Sequence, residues 1–270
     1  MSKIDMIISL VEQGQVDAVK TSLATSPTTH DENDIIKLLE TSILFMNLDI
    51  MRYLLDTYKP NYESPLFRDK VSLTAVGLGK TEAFKILNEY HPFLLTWDLS
   101  HFGDALGHAV LGDDLPLAHF LLEEADCDPN KSHVAYKPSI ECAAASEQYE
   151  MTELLLKYGA QINGTRSLYM AMESNSADML SFLTSNANGD INMIQPVGKY
   201  EEIELTPGPV LHLAIQMKNK EMVQVLLRRF GADPLVKDES GKTAMDWAQS
   251  INDPAIRRAL DPTYRSCQIL

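Results

Sequence analysis

Three side chains that could take part in acid–base or metal chemistry stand close together near the middle of the chain: His101, Asp104 and His108. Their spacing of three and then four residues would place them on one face of a helix. Two imidazoles and a carboxylate could form a proton-transfer site or contribute ligands to a metal. Without a third firm ligand, a buried histidine bonded to a backbone carbonyl is the alternative. We therefore assign these residues a catalytic role only if the protein is an enzyme, and we predict no metal and no cofactor.

Aromatic side chains recur at a fixed place before a leucine that ends a helix. Phe67, Phe102 and Tyr136 each stand 20 residues before such a leucine. Large rings on exposed turns supply contact area at low entropic cost and are typical of binding hot spots. The alternative is that each ring packs on the next turn and only stiffens the chain. We predict that the three form an exposed ladder that binds a partner, together with Tyr62, Trp97, His101, Asp104, Tyr169 and Tyr200.

The last four residues, Cys267-Gln268-Ile269-Leu270, resemble a prenylation box in which the final Leu favours a geranylgeranyl group. Polar Gln268 is not typical of such a box, and the preceding residues are not polybasic. One lipid without a second signal gives only marginal membrane binding. An adaptor lipidated at Cys267 is therefore an alternative role, and we expect membrane association only if this cysteine is modified.

Helix pairs that recur along the whole chain carry these residues. Two adjacent spacings between the leucines that end the second helices are irregular, one short and one long. The long spacing contains an insertion over 193–207, in which Val197-Gly198-Lys199-Tyr200 would form a hairpin tip. The leucines that end the second helix of each pair recur with a mean spacing of about 34 residues over the first six steps: Leu23, Leu55, Leu87, Leu122, Leu156, Leu183, Leu227 and Leu260. One register therefore predicts about eight helix-turn-helix units.

The clearest motif occurs in two consecutive units. Residues 208–215 read GPVLHLAI, an apolar helix follows, and 231–234 read GADP; then 240–248 read SGKTAMDWA. This pattern resembles the ankyrin repeat, whose inner helix reads T-P-L-H-x-A and whose outer helix is followed by a G-A-D loop. The resemblance covers nearly the whole chain, although it is weak over 1–70. His212 matches the histidine of the family motif, which bonds neighbouring turns together.

The resemblance implies an all-α, ankyrin-repeat solenoid of about eight helix-turn-helix units with one extended finger insertion. A lone helix pair cannot bury its apolar stripe, so each unit depends on its neighbours. We therefore predict a single ankyrin-repeat domain over 1–262, with the insertion at 193–207, and a flexible C-terminal tail over 263–270. The resemblance also implies a concave groove, formed by the fingers and inner helices, in which the aromatic residues would lie.

Charge and composition limit the class of partner. The 270 residues include 23 Lys+Arg and 38 Asp+Glu, for a net charge of −15, which disfavours binding to nucleic acid. Between Lys85 and Lys131 stand nine acids and no Lys or Arg, which favours a basic partner surface, although a solvated acidic face is the alternative. Three widely spaced cysteines and no long apolar segment predict a cytoplasmic protein, with nuclear or membrane-associated location as alternatives.

These observations favour a protein–protein interaction scaffold or adaptor. It would bind another protein, or an extended and basic segment of one, in the groove formed by the fingers and inner helices. The first alternative is an enzyme or a small-molecule-binding protein that uses His101, Asp104 and His108, although no nucleotide loop, nucleophile elbow or metalloprotease helix is present. The second alternative is the prenylated, membrane-associated adaptor.

Overall fold

The chain folds into the predicted series of helix pairs. A computed structural model describes residues 2–25, 31–99, 103–196, 199–200 and 203–261. Within these ranges the helices form eight helix-turn-helix repeats, and the contacts between residues group the chain into two compact lobes. We call Met1–Ser139 the N-terminal lobe and Ile140–Leu270 the C-terminal lobe. The single domain over 1–262 stays a prediction.

The N-terminal lobe contains repeats 1 to 4. Its helices are α1 (Lys3–Glu12), α2 (Val16–Ala24), α3 (Glu32–Leu44), α4 (Leu48–Tyr58), α5 (Pro65–Phe67), α6 (Leu73–Gly77), α7 (Thr81–Tyr90), α8 (Ala105–Leu111) and α9 (Leu115–His119). A π-helical turn, Arg68–Ser72, joins α5 to α6 into one inner helix, and another, Phe120–Glu124, extends α9. A 3-10 turn covers Pro92–Thr96, and a hairpin is formed by β1 (His133–Val134) and β2 (Lys137–Pro138).

Repeats 5 to 8 continue through the C-terminal lobe, and the first of their helices begins at the last residue of the N-terminal lobe. They comprise α10 (Ser139–Ala145), α11 (Tyr149–Lys157), α12 (Ser167–Glu173), α13 (Ala177–Asn186), α14 (Val210–Gln216), α15 (Lys220–Arg228), α16 (Ala244–Ser250) and α17 (Pro254–Leu260). The insertion contains a hairpin, and of the four residues predicted as its tip, Val197 and Gly198 lie outside the described residues. Lys199–Tyr200 form strand β3, which pairs with β4 (Ile203–Glu204), so these two residues are not the tip.

The same backbone turn joins the two helices of every repeat. One residue in the left-handed region, with φ between 51° and 68°, stands just before the cap of each outer helix: Gly14, Met46, Gly79, Asp113, Glu147, Asn175, Lys218 and Asn252. The marker leucine follows eight or nine residues later in each repeat. The regular leucine spacing is therefore the trace of a repeated turn.

Each lobe buries its own apolar side chains. In the N-terminal lobe, Leu39, Leu54 and Phe84 are fully buried between helices of neighbouring repeats. In the C-terminal lobe, Leu180 and Val223 belong to one continuous core. Seven of the eight marker leucines are buried, and Leu156 is partly buried. The repeat register predicted from these leucines is thus confirmed by their positions in the core.

Candidate functional site

A cluster of aromatic rings lies where α7 ends, next to the 3-10 turn Pro92–Thr96. The ring of His91 stacks on Tyr62, with centroids 5.4 Å apart and planes 12° apart. The same imidazole meets the edge of Trp97 at 4.8 Å and tilts against Phe93 at 5.7 Å. Phe93 leaves 67% of its surface exposed. Because ring pairs in these geometries attract one another, the cluster holds an exposed phenyl ring in a defined position.

The hairpin between repeats 4 and 5 presents a second exposed ring. His133 pairs with Pro138 and Val134 with Lys137, which leaves Ala135 and Tyr136 as a two-residue turn. Both turn residues have positive φ, 48° and 65°, as a type I′ turn requires. Tyr136 is 83% exposed and stacks on His133 at 6.3 Å. The hairpin therefore holds a tyrosine at its tip in solvent.

A polar contact joins the hairpin to the aromatic cluster. The Asp98 carboxylate lies 2.9 Å from Nε2 of His133, one residue beyond Trp97. Both groups of rings are thus linked within the N-terminal lobe. We call them together the finger surface, which consists of Tyr62, His91, Phe93, Trp97, Asp98, His133 and Tyr136.

A pocket of about 380 Å³ shares His133 with the finger surface. Leu95 and Leu106 give it apolar walls, and Asp104 and Ser132 contribute polar groups. Burial raises the pKa of the Cys127 thiol, which also lines the pocket, to about 11. The thiol is therefore neutral near pH 7. We call this cavity the Asp104 pocket.

Asp104 has a local structural role inside this pocket. It is the N-cap of α8, where its Oδ1 accepts hydrogen bonds from the Gly107 backbone N–H at 2.7 Å and from the Ser132 hydroxyl at 2.9 Å. Burial raises the pKa of the Asp104 carboxyl, and the two hydrogen bonds oppose that effect only in part. The carboxylate is therefore held in an environment that disfavours its charge.

Comparison with known families identifies the repeats. A model described as ankyrin repeats (3 copies) matches residues 106–195, and a model described as ankyrin repeat matches residues 210–239. Both matches fall on the helix pairs of the structure. The chain is an ankyrin-repeat protein. Among curated proteins, no relative matches its sequence.

Solved structures share the ankyrin fold. The ankyrin repeat domain of Bcl-3, a member of the IkappaB protein family, has a TM-score of 0.64 at 21% identity, covering 82% of this chain and 96% of that one. EF0377, an ankyrin repeat protein, has a TM-score of 0.51 at 23% identity, with coverages of 70% and 94%. A chain from the complex of the Bd0816 predatory endopeptidase of Bdellovibrio bacteriovorus with immunity protein Bd3460 has a TM-score of 0.51 at 20% identity, with coverages of 69% and 94%. At these identities the likeness shows the fold alone.

The predicted aromatic ladder is only partly present in this ankyrin-repeat protein. Tyr136 is exposed, whereas Phe67 is fully buried, so the exposed position predicted for Phe67 is wrong. The reason is that the inner helix of repeat 3 begins at Pro65, capped by Ser64, and turns Phe67 into the core. Tyr169 is also buried, and its hydroxyl donates to Glu173 at 3.1 Å. Neither ring can meet a partner in this conformation.

Several predicted residues lie outside the described part of the chain. His101 and Phe102 fall in the gap over 100–102, and Cys267 follows the last described residue, 261. The side chain of Tyr200 is likewise not described, although its backbone pairs with Ile203. A role for these residues, including prenylation of Cys267, stays a prediction.

The structure describes two of the three residues of the predicted acid–base set, and it does not bring these two to one pocket. Asp104 and His108 line different pockets, since His108 lies against a cavity of about 600 Å³ formed with Gly79, Asp114 and other residues of repeats 3 and 4. His108 is also largely buried, which favours the alternative of a buried histidine. In the described ranges, no group of three or more His, Cys, Asp or Glu side chains could hold a metal ion.

His212 bonds neighbouring turns together, as the resemblance implied. Its Nε2 lies 3.2 Å from the Lys242 carbonyl oxygen, which can only accept, so Nε2–H is the donor. Burial lowers the pKa of His212, which keeps the ring neutral near pH 7. This contact is structural and joins repeats 7 and 8.

Sequence reasoning missed four residues of the finger surface. Asp98 and His133 form a contact between separate elements, and the other two are His91 and Phe93. Both follow α7 in the segment His91-Pro92-Phe93, outside the regular repeat pattern. A proline flanked by rings just after a predicted helix is the signal that would have pointed to them.

None of the helices in the described segments is both long and apolar enough to cross a bilayer.

Proposed function

We propose that this ankyrin-repeat protein is an interaction module whose finger surface binds a segment of a partner protein that carries basic residues. Repeat proteins of this kind build extended binding surfaces. The observation that carries the proposal is the strained, exposed Tyr136 at the tip of the hairpin.

The backbone at this tip favours residues other than those present. A two-residue type I′ turn has a strong preference for Asn-Gly, because both positions need positive φ. Here Ala135 and Tyr136 occupy them, at a cost on the order of 1 kcal/mol for each residue. The large ring stays in solvent, where it contributes little to a core. Binding to a partner explains why a tyrosine would stand at a position that glycine would stabilise.

Charge indicates the nature of the partner. The side chain of Asp98 within the finger surface is 63% exposed, and Asp126 and Asp128 lie at the neighbouring pocket. A surface of this sign attracts basic segments and repels acidic ones. Exposed rings beside carboxylates also suit arginine, whose guanidinium stacks on aromatic faces.

The test is affinity capture from native cytosol with three forms of the protein. We compare the wild type with Tyr136→Gly, which removes the ring and fits the positive φ, and with Phe45→Ala as a matched control. Phe45 is an exposed ring in the same lobe, but it lies at the turn between α3 and α4 and away from the finger surface. We expect a protein that is captured by the wild type and by Phe45→Ala and lost with Tyr136→Gly.

Thermal unfolding of the same variants controls for folding. Tyr136→Gly should be at least as stable as the wild type, because glycine relieves the turn. Equal capture by all three forms, or no enriched protein with the wild type, would contradict the proposal. Because Asp104 and His108 line different pockets, we do not propose catalysis by this pair.

A further inference from the structure

We infer that the Asp104 pocket receives an arginine side chain of the partner segment. This inference rests on the proposed function, because the pocket shares His133 with the finger surface. It adds the residue type that the partner must present and the carboxylate that would bind it.

The pocket has the size and the walls for such a side chain. Its volume of about 380 Å³ lies within the range of small-ligand sites. Leu95, Leu106 and the methyl-bearing Thr96 line it and could pack on the apolar stem of arginine. A guanidinium at the end of that stem would then need an anionic acceptor inside the pocket.

Asp104 provides that acceptor. Both of its hydrogen bonds, from Gly107 N–H and from the Ser132 hydroxyl, go to Oδ1. None of the residues that the structure describes donates to Oδ2. Charge-assisted bonds to carboxylates are the strong ones, and guanidinium has five donors with which to make them. The second oxygen is therefore available to an arginine head group.

The fold itself does not require a charge at this position. Asn caps helices as well as Asp does, and its amide oxygen could accept from Gly107 and Ser132 in the same way. Burial also raises the pKa of the Asp104 carboxyl, so the negative charge is unfavourable in the absence of a cation. A cationic ligand would offset that unfavourable burial.

The charged side chains at the rim of the pocket also favour a cationic ligand. Three carboxylates, those of Asp104, Asp126 and Asp128, line the pocket with one ammonium group, that of Lys131. Lys131 lies 3.7 Å from Asp128, and its side chain is 86% exposed. An ion pair this exposed is weak and can rearrange. The net charge around the entrance therefore favours a cation.

The test measures binding of two small probes to the full chain by NMR titration. N-acetyl-arginine amide carries the proposed head group, and N-acetyl-citrulline amide has nearly the same shape without the charge. We compare the wild type with Asp104→Asn and with Asp31→Asn, which makes the same change at the N-cap of α3, in the same lobe and outside the pocket.

We expect the arginine probe to bind the wild type and Asp31→Asn with equal affinity. It should bind Asp104→Asn at least tenfold more weakly. In the wild type it should shift the signals of Leu106 and Ser132. The citrulline probe should bind at least tenfold more weakly than the arginine probe. Equal affinity of the arginine probe for the wild type and Asp104→Asn would overturn the inference, and so would equal affinity of the two probes. Because no partner is needed, this result is independent of the capture experiment.

Discussion

At the scale of single residues, a glycine sets the position of the hairpin. Gly107 lies in α8, and a Cβ added there would stand 2.0 Å from the carbonyl oxygen of His133. No side chain can be accommodated unless the hairpin backbone moves. The absence of a side chain at Gly107 thus allows the hairpin that carries Tyr136 to pack closely on the helix.

We predict that Gly107→Ala lowers stability, although alanine is the better helix former. Helix propensity favours Ala by about 1 kcal/mol. Overpacking against a backbone that cannot give way costs about 1–3 kcal/mol, and this term should win. Urea unfolding would measure the difference, and a shift of His133 signals would show that the hairpin has moved.

Gly77→Ala is the matched control for that measurement. Gly77 ends α6 in the same lobe, its φ is not positive, and an added Cβ meets nothing within 4 Å. This variant should be as stable as the wild type or more stable, by up to about 1 kcal/mol. A similar gain for Gly107→Ala would mean that the close approach to His133 does not constrain the helix.

At the scale of elements, the left-handed turn within each repeat is the feature that the sequence hides best. Glycine holds this position in repeats 1 and 3, whereas Met46, Glu147 and Lys218 hold it elsewhere with the same φ sign. The leucine spacing revealed the period of the turn but not its conformation. A residue with a Cβ adopts the left-handed conformation only at a cost in folding free energy, which glycine avoids.

We predict that Met46→Gly stabilises the protein by about 0.5–1 kcal/mol, because relief of the left-handed conformation exceeds the entropy that glycine adds to the unfolded chain. Met46 is partly exposed, so little burial is lost.

The reverse change, Gly79→Ala, should lower stability by about 1–2 kcal/mol, since its added Cβ would also lie 2.9 Å from an oxygen of Asp114. Chemical denaturation of both variants would decide, and a loss of stability in Met46→Gly would show that another interaction fixes this turn.

Element boundaries explain where the sequence was informative and where it was not. The helix pairs follow from apolar periodicity, and residue type explains the cap of α3, where the Asp31 carboxylate accepts a hydrogen bond from Asp34 N–H at 2.8 Å. Phe67 was predicted to be exposed on a turn, but the inner helix already begins at Pro65 and turns its ring into the core. The hairpin at Ala135 and Tyr136 lacks the Asn or Gly that marks such turns.

The candidate site was harder to predict than the fold, because it joins residues from separate elements. His91 meets Tyr62 across a whole repeat, and Asp98 meets His133 across another. Such pairs leave no local pattern. Tyr136 and Trp97 were predicted from residue type, whereas the Asp104 pocket needed the packing of three segments of chain.

For the whole molecule, two opposing effects decide how stability responds to mild acid. The chain carries a net charge of −15, and self-repulsion of that kind decreases as protons bind. His212 acts in the opposite direction. Burial lowers its pKa in the folded state, so the unfolded chain takes up the proton first as pH falls below the ordinary histidine value of about 6.5. Folding stability from this residue is thus present above that pH and is lost below it.

We predict that the His212 effect wins between pH 7.5 and pH 5.5, so that the melting temperature of the wild type falls over this range. A proton on a buried ring acts at short range, whereas dispersed surface charges are screened at physiological salt with a Debye length of about 8 Å. His212→Gln keeps a donor for the Lys242 carbonyl but cannot take up a proton. Its melting temperature should be lower than that of the wild type at pH 7.5 and should stay level or rise toward pH 5.5. A parallel fall in both proteins would assign the acid response to other groups, and a rise in the wild type would show that relief of charge repulsion dominates.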